Sequence, residues 1–281
     1  MTILLRIILS VAVLGGVIWL VAPQDLAEAL RGMDPSWLAL AVLALTLQIA
    51  LSALRWRITA GALGNDLPRG WAVQEYGLSV AVNTFLPGGV MGDLARIARS
   101  RNLGWRNAAA SVLIERLAGQ VALGIVALGA LAAWLGTARA VMIVAAGLVA
   151  LLVADQVWPK LRPLLVRAWC APGIWAAQLG LSLAILAVNL SGFWAAARAV
   201  GLSLPPAAAV TLVSLTLLAM LVPLTINGWG LREGVAAALW PLWGIGAAQA
   251  VAASMAFGLA CMGAALIGVI PWLLRRGSAP V

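Results

Sequence analysis

The sequence contains no histidine and few of the other residues that catalysis or metal binding commonly needs. Histidine is the most frequent general base and metal ligand near neutral pH, so its absence argues against ordinary acid–base and zinc chemistry. The two cysteines, Cys170 and Cys261, have neither a CxxC spacing nor any other metal-ligand spacing, so the sequence predicts no zinc site and no disulfide framework. We therefore expect no cofactor, no metal and no enzymatic role for the chain.

Charged residues are also scarce. They make up 10% of the 281 residues, whereas 64% are hydrophobic, which is far from the average of soluble domains. With about 20 residues for each membrane-spanning helix, nearly the whole chain is accounted for by the bilayer. The sequence predicts one integral membrane domain over residues 1–281, without room for a separate soluble catalytic domain.

Acidic residues are half as numerous as basic ones, 9 against 18, and Lys160 is the only lysine. The basic residues lie in short loops beside apolar runs, where they set topology and contact anionic lipid headgroups. We expect no nucleic-acid partner. The prevalence of arginine favours phosphate, because the guanidinium group binds it through two parallel hydrogen bonds.

Long apolar runs predict an all-α polytopic protein with about six full transmembrane helices. Two further apolar segments, Trp71–Leu86 and Pro205–Val222, run into the Pro/Gly-rich strings PGGVMG and PLTINGWG, which are typical of helix ends. The six expected spans are Ile3–Val21, Pro35–Leu54, Asn107–Leu135, Ala138–Ala154, Pro172–Ala197 and Ala247–Leu274.

The distribution of arginine favours re-entry for both irregular segments. If Trp71–Leu86 crossed the membrane, the basic cluster at 96–106 would lie outside, against the positive-inside rule. With re-entry, both termini are cytoplasmic and the elements of residues 1–136 recur in opposite orientation in residues 137–281, as in inverted-repeat transporters. The alternative is eight ordinary helices, two of them kinked by proline.

A short pattern, P-x4-G-x3-R, follows each irregular segment. It places a glycine-rich turn and then an arginine at corresponding points of the two halves. Glycines in such turns permit tight backbone geometry, and broken helix ends present N–H groups to anions. The candidate turn residues are Pro87, Gly88, Gly89, Gly92, Pro223, Gly228 and Gly230.

Charged side chains within apolar segments are the strongest indication of a site, because each costs about 2.5–3.5 kcal/mol to insert at a span centre. Glu115 and Arg116 are adjacent in the third span, and their directions differ by about 100°, so we expect them to reach different neighbours. We expect these charges to line one cavity that holds a lipid phosphate, and the alternative is that they only join helices. The candidate binding residues are Asp93, Arg96, Glu115, Arg116, Arg232, Glu233 and Trp229.

The strings NTFLPGGVMGDLARI, VLIERLAG and PLTINGWGLREG also resemble the lysylphosphatidylglycerol synthase transmembrane family, whose members are described as flippase-like. The resemblance implies a bacterial or archaeal inner-membrane protein. In lysylphosphatidylglycerol synthases this region flips the aminoacylated lipid that a separate soluble domain makes, so lysyl transfer is not implied for this chain. The positions that match the family motifs are Gly92, Asp93, Arg96, Glu115, Arg116, Gly228, Arg232 and Glu233.

From these residues we expect a lipid translocator that moves a phosphate-bearing lipid between leaflets of the inner membrane. Two alternatives stay open, a membrane-embedded transferase acting on a lipid-linked substrate and a non-transporting scaffold of a lipid-synthesis complex. The expected partners are anionic or phosphate-bearing membrane lipids, with a homodimer or a lipid-synthesis enzyme as further possibilities.

Overall fold

The computed structural model describes residues 3–21, 23–86, 90–101, 104–136, 162–221 and 225–274. Within these ranges the regular structure is helical and contains no strand, so the all-α prediction is confirmed. The helices are α1 (Ile3–Leu20), α2 (Pro23–Arg31), α3 (Pro35–Ala62), α4 (Arg69–Phe85), α5 (Met91–Arg99), α6 (Trp105–Leu135), α7 (Arg162–Trp169), α8 (Trp175–Ala199), α9 (Pro206–Leu218), α10 (Leu231–Leu239) and α11 (Ala247–Leu273).

Four of these helices, α3, α6, α8 and α11, are long and apolar enough to cross a membrane. They correspond to four of the six predicted spans. The predicted first span is α1, which meets α2 at a bend of 97°, and the predicted fourth, Ala138–Ala154, lies outside the described residues. The outer faces carry exposed apolar side chains such as Leu43, Ile125 and Leu183, as expected where lipid replaces water.

Helix α3 continues past the predicted end of its span. It begins where Asp34 accepts a hydrogen bond from the Ser36 N–H and Pro35 occupies the first turn, and it ends at Ala62 rather than Leu54. The additional turns carry Arg55 and Trp56 into the protein interior, where each is at most 3% exposed. This correction matters for the site, because a span that ended at Leu54 would leave Arg55 in the loop that follows it.

Helices α4 and α5 form an antiparallel hairpin. Near its turn the Asn83 amide oxygen accepts a hydrogen bond from the Gly92 N–H at 2.8 Å, and near its base Arg99 pairs with Glu75 at 2.9 Å. The 9 residues of α5 rise about 14 Å, roughly half the thickness of a bilayer core. This hairpin is compatible with the re-entrant interpretation of Trp71–Leu86, which stays a prediction.

Helices α9 and α10 pack against each other at the corresponding place in the chain. The Trp240 ring N–H, just beyond α10, donates to Thr216 Oγ1 of α9 at 3.0 Å. Helix α9 contains a π-helical turn at Ala209–Val213, a distortion that is frequent at functional sites. The predicted repeats 1–136 and 137–281 stay a prediction, because residues 137–161 lie outside the described ranges.

Small residues bring the helices close together. A Cβ added to Gly77 of α4 would overlap the carbonyl oxygen of Gly268 in α11, and one added to Gly92 would overlap the carbonyl oxygen of Ser79. Glycine at these contacts lets backbones touch, which is how helices associate where hydrophobic burial gives no advantage. The hairpin α4–α5 is thereby packed directly on α11.

Candidate functional site

A buried network of charges lies among α3, α5 and α6. At its centre, Glu115 Oε1 accepts a hydrogen bond from Arg55 Nη2 at 2.8 Å, and Glu115 Oε2 lies 3.5 Å from Arg96 Nη2. The side chains of Arg55, Arg96 and Glu115 are 4%, 1% and 1% exposed. Charges buried so deeply are tolerated only when they are paired, and here one carboxylate serves two arginines.

Asp93 extends the network toward Arg116. Its Oδ1 lies 2.9 Å from Arg96 Nη2 and its Oδ2 lies 2.8 Å from Arg116 Nη2, while the Asn83 amide donates to Oδ2 at 3.0 Å. Glu115 and Arg116 therefore reach different neighbours, as the helical geometry predicted. Together with Arg55 the network holds three guanidinium groups against two carboxylates, a net charge of +1.

Two aromatic rings contact the guanidinium group of Arg96. Its Cζ lies 4.6 Å from the ring centroid of Trp56 and 4.4 Å from that of Tyr76. The Tyr76 hydroxyl donates to Glu115 Oε1 at 3.2 Å, and the Trp56 ring N–H donates to Ser111 at 3.1 Å. Cation–π contacts stabilise a desolvated guanidinium by about 2 kcal/mol, so these rings fix the position of Arg96.

Beside this network is a cavity of about 400 Å³. Arg55, Glu115 and Arg116 line it, and Arg116 remains 39% exposed. It lies between the two turn regions, since its wall includes Asn83 and Val90 on one side and residues 225, 227 and 228 on the other. Its other polar lining residues are Gln48, Ser52, Tyr76, Gln120, Ser182 and Asn189.

Arg232 and Glu233 lie in a separate cluster. Glu233 Oε1 accepts from Arg232 Nε at 3.0 Å, both groups bind Ser254 Oγ at 2.8 Å, and Glu233 Oε2 accepts from the Gly230 N–H at 2.7 Å. Both side chains are 0% exposed, and neither residue lines the described cavity. The expectation of one cavity shared with Glu115 and Arg116 is therefore corrected, and this pair is neutral and closed.

Arg232 and Glu233, although adjacent in sequence, pair with each other for a local reason. Glu233 is the third residue of α10 and folds back to cap its N-terminus, which brings its carboxylate within reach of the preceding arginine. Trp229 belongs to the same cluster, with its ring 5.2 Å from Arg232 Cζ. A Cβ on Gly258 would lie 2.6 Å from Arg232 Nη2 and 2.7 Å from the Trp229 ring, so glycine makes room for both.

The described turn glycines are required by packing. Gly228 and Gly230 have φ of 77° and 87°, and a Cβ would lie 2.7 Å from Met220 Cγ and 2.9 Å from the Leu14 nitrogen, respectively. The N–H groups of Gly92 and Gly230 donate to Asn83 and Glu233, so neither is available for an anion. Four candidate turn residues, Pro87, Gly88, Gly89 and Pro223, lie outside the described residues.

Sequence reasoning missed Arg55 and its partner Ser182, whose Oγ accepts from Arg55 Nη1 at 3.1 Å. The available signal was the helical spacing of Ser52, Trp56 and Thr59, which continues past Leu54. Ser182 and Asn189 are isolated polar residues in an apolar run and carry no motif. In the described part of the chain no three His, Cys, Asp or Glu side chains are grouped to hold a metal.

The fold and the site define a multi-pass membrane protein with a charged, partly closed cavity among its helices. A family model described as the lysylphosphatidylglycerol synthase TM region matches residues 7–268, and the chain belongs to this family. It is thus a membrane protein related to lipid synthesis or translocation. Comparison with curated proteins and with solved structures returned no match.

Proposed function

We propose that the protein translocates a phosphate-bearing lipid between leaflets of the bacterial inner membrane, with both termini in the cytoplasm. The observation that carries the proposal is the cavity itself. Arg55 and Arg116 line a space of about 400 Å³ among helices that are apolar enough to span a bilayer. Intramembrane arginines are costly unless they are paired or hydrated, and those that face a cavity commonly mark the path of a substrate or ion.

Arg116 is the residue that we assign to the phosphate. Its side chain is 39% exposed, whereas Arg55 and Arg96 are almost fully enclosed by their partners. The pair with Asp93 fixes the orientation of the Arg116 side chain, which lines the cavity. A planar fork of N–H donors binds a phosphodiester through two bonds, while an ammonium group acts as a point charge.

The test is the substitution Arg116→Lys in purified full-length protein in liposomes. A leaflet-resolved assay measures movement of a fluorescent phospholipid, and thermal unfolding in detergent is measured on the same preparations. We expect transport to fall by about tenfold or more, which corresponds to one charge-assisted hydrogen bond, with little change in unfolding temperature. Normal transport with lowered stability would show that Arg116 only joins helices.

Arg99→Lys is the matched control. Arg99 is 42% exposed, pairs with Glu75 and does not line the cavity, so the same change there should leave transport unaltered. Arg232→Lys is expected to lower the unfolding temperature more than transport, since Arg232 lies in the closed cluster. Turnover of a labelled lipid in detergent, where no leaflets exist, would instead favour a transferase.

A further inference from the structure

The lining of the cavity is uneven in charge. Among the described residues that line it, Arg55 and Arg116 are cationic and Glu115 is the only acid. Glu115 is already paired with two arginines, since Oε1 accepts from Arg55 and from Tyr76, and Oε2 lies 3.5 Å from Arg96 Nη2 in an ion pair without a hydrogen bond. A positively charged headgroup would therefore meet a net positive wall, at distances where like charges cost several kcal/mol unless solvent screens them.

A neutral polar region lies further along α8. Asn189 follows Ser182, the partner of Arg55, by seven residues, so both lie on the same face, separated by about 10 Å along the helix. Asn189 Oδ1 and Thr225 Oγ1 are buried and accept no hydrogen bond from the described residues. Buried acceptors without partners destabilise a protein by about 1–3 kcal/mol each, so this region suits a ligand that donates hydrogen bonds.

Resting on the function above, we infer that the substrate is a net anionic lipid whose phosphate carries an uncharged, hydroxyl-bearing headgroup. The phosphate lies at Arg116, and hydroxyl groups of the headgroup donate to Asn189 Oδ1 and Thr225 Oγ1. An aminoacylated headgroup is disfavoured, because the one carboxylate among the described lining residues, Glu115, is already paired with two arginines.

Binding to the full-length protein in detergent tests this assignment. Four probes are compared: short-chain phosphatidylglycerol, phosphatidylmethanol, lysylphosphatidylglycerol and glycerol phosphate. Phosphatidylmethanol keeps the phosphate but has no headgroup hydroxyl, and glycerol phosphate has no acyl chains. We expect phosphatidylglycerol to bind about three- to tenfold more tightly than phosphatidylmethanol, as one to two hydrogen bonds predict. The lysyl lipid should bind at least about tenfold more weakly than phosphatidylglycerol.

Asn189→Leu removes the acceptor while keeping the size of the side chain. This substitution should lower the affinity for phosphatidylglycerol to that for phosphatidylmethanol, and the affinity for phosphatidylmethanol should not change. Ser191→Ala is the control on the same helix, since Ser191 is exposed and bonds only to the Ala187 carbonyl oxygen. Loss of affinity for both lipids in Asn189→Leu would overturn the assigned role of Asn189.

Three outcomes would overturn the inference. The first is that lysylphosphatidylglycerol binds as tightly as phosphatidylglycerol, or more tightly. The second is that phosphatidylglycerol and phosphatidylmethanol bind equally. The third is that glycerol phosphate binds as tightly as the lipids, which would make the ligand a soluble phosphate. Failure of the proposed function has a different signature, in which no lipid moves between leaflets and Arg116→Lys has no effect on binding or transport.

Discussion

Replacement of Glu115 by glutamine tests the energetics of the buried network. The change keeps the shape of the side chain but removes the charge that faces Arg55 and Arg96, whose side chains are 4% and 1% exposed. Loss of one partner from a buried ion pair costs about 3–5 kcal/mol, because it leaves the other charge buried without compensation. The remaining network would then hold three guanidinium groups against Asp93 alone.

The expected result is a marked fall in thermal stability. At about 2–4 °C for each kcal/mol in a chain of this size, Glu115→Gln should lower the unfolding temperature by on the order of 10 °C. The 14 tryptophans provide an intrinsic fluorescence signal for unfolding in detergent. A reversible two-state transition is not required, since the comparison is between variants measured under identical conditions.

Glu75→Gln is the matched control for this prediction. Glu75 is also buried, but its partner Arg99 is 42% exposed and returns to solvent or headgroups when the charge is lost. Exposed ion pairs contribute about 0–1 kcal/mol, so the unfolding temperature should fall by less than about 4 °C. Equal effects of the two substitutions would refute the argument that the burial of the arginine partners sets the cost.

Two further predictions concern transport and topology. Gly119→Ala should slow lipid transport severalfold with little loss of stability, because the new Cβ would lie 3.1 Å from Arg55 Nη2 at the cavity wall. The control Gly124→Ala, whose new Cβ would have nothing within 4 Å, should behave as wild type. Equal transport rates of the two variants would contradict this prediction. Arg101→Cys, in a background without the native cysteines, should resist a membrane-impermeant thiol reagent added from the periplasmic side, and ready labelling would contradict re-entry of the first hairpin.

Sequence patterns predicted the helices and part of the site. Apolar length alone located α3, α6, α8 and α11, and the 100° step of a helix correctly separated the partners of Glu115 and Arg116. Arg55 was missed because an arginine beside an apolar run is usually interfacial, and only three-dimensional packing shows that α3 carries it inward.

The sequence also could not predict that Arg96 and Arg232, the two arginines of the repeated pattern, have different environments. Arg96 and Arg232 occupy the same place in P-x4-G-x3-R, and both are buried against two aromatic rings. Arg96 belongs to a network with a net positive charge beside the cavity, whereas Arg232 is neutralised by its neighbour. The difference depends on Glu233 acting as a helix cap, a local conformation that the shared pattern does not specify.

The contact between Gly77 and Gly268 has a mechanical consequence. With backbone against backbone and no side chain between them, α4 has no room to rotate or slide on α11. We expect these two helices to move as one rigid body in any transport cycle. Alternating exposure of the cavity would then come from displacement of α6 and α9 against that body.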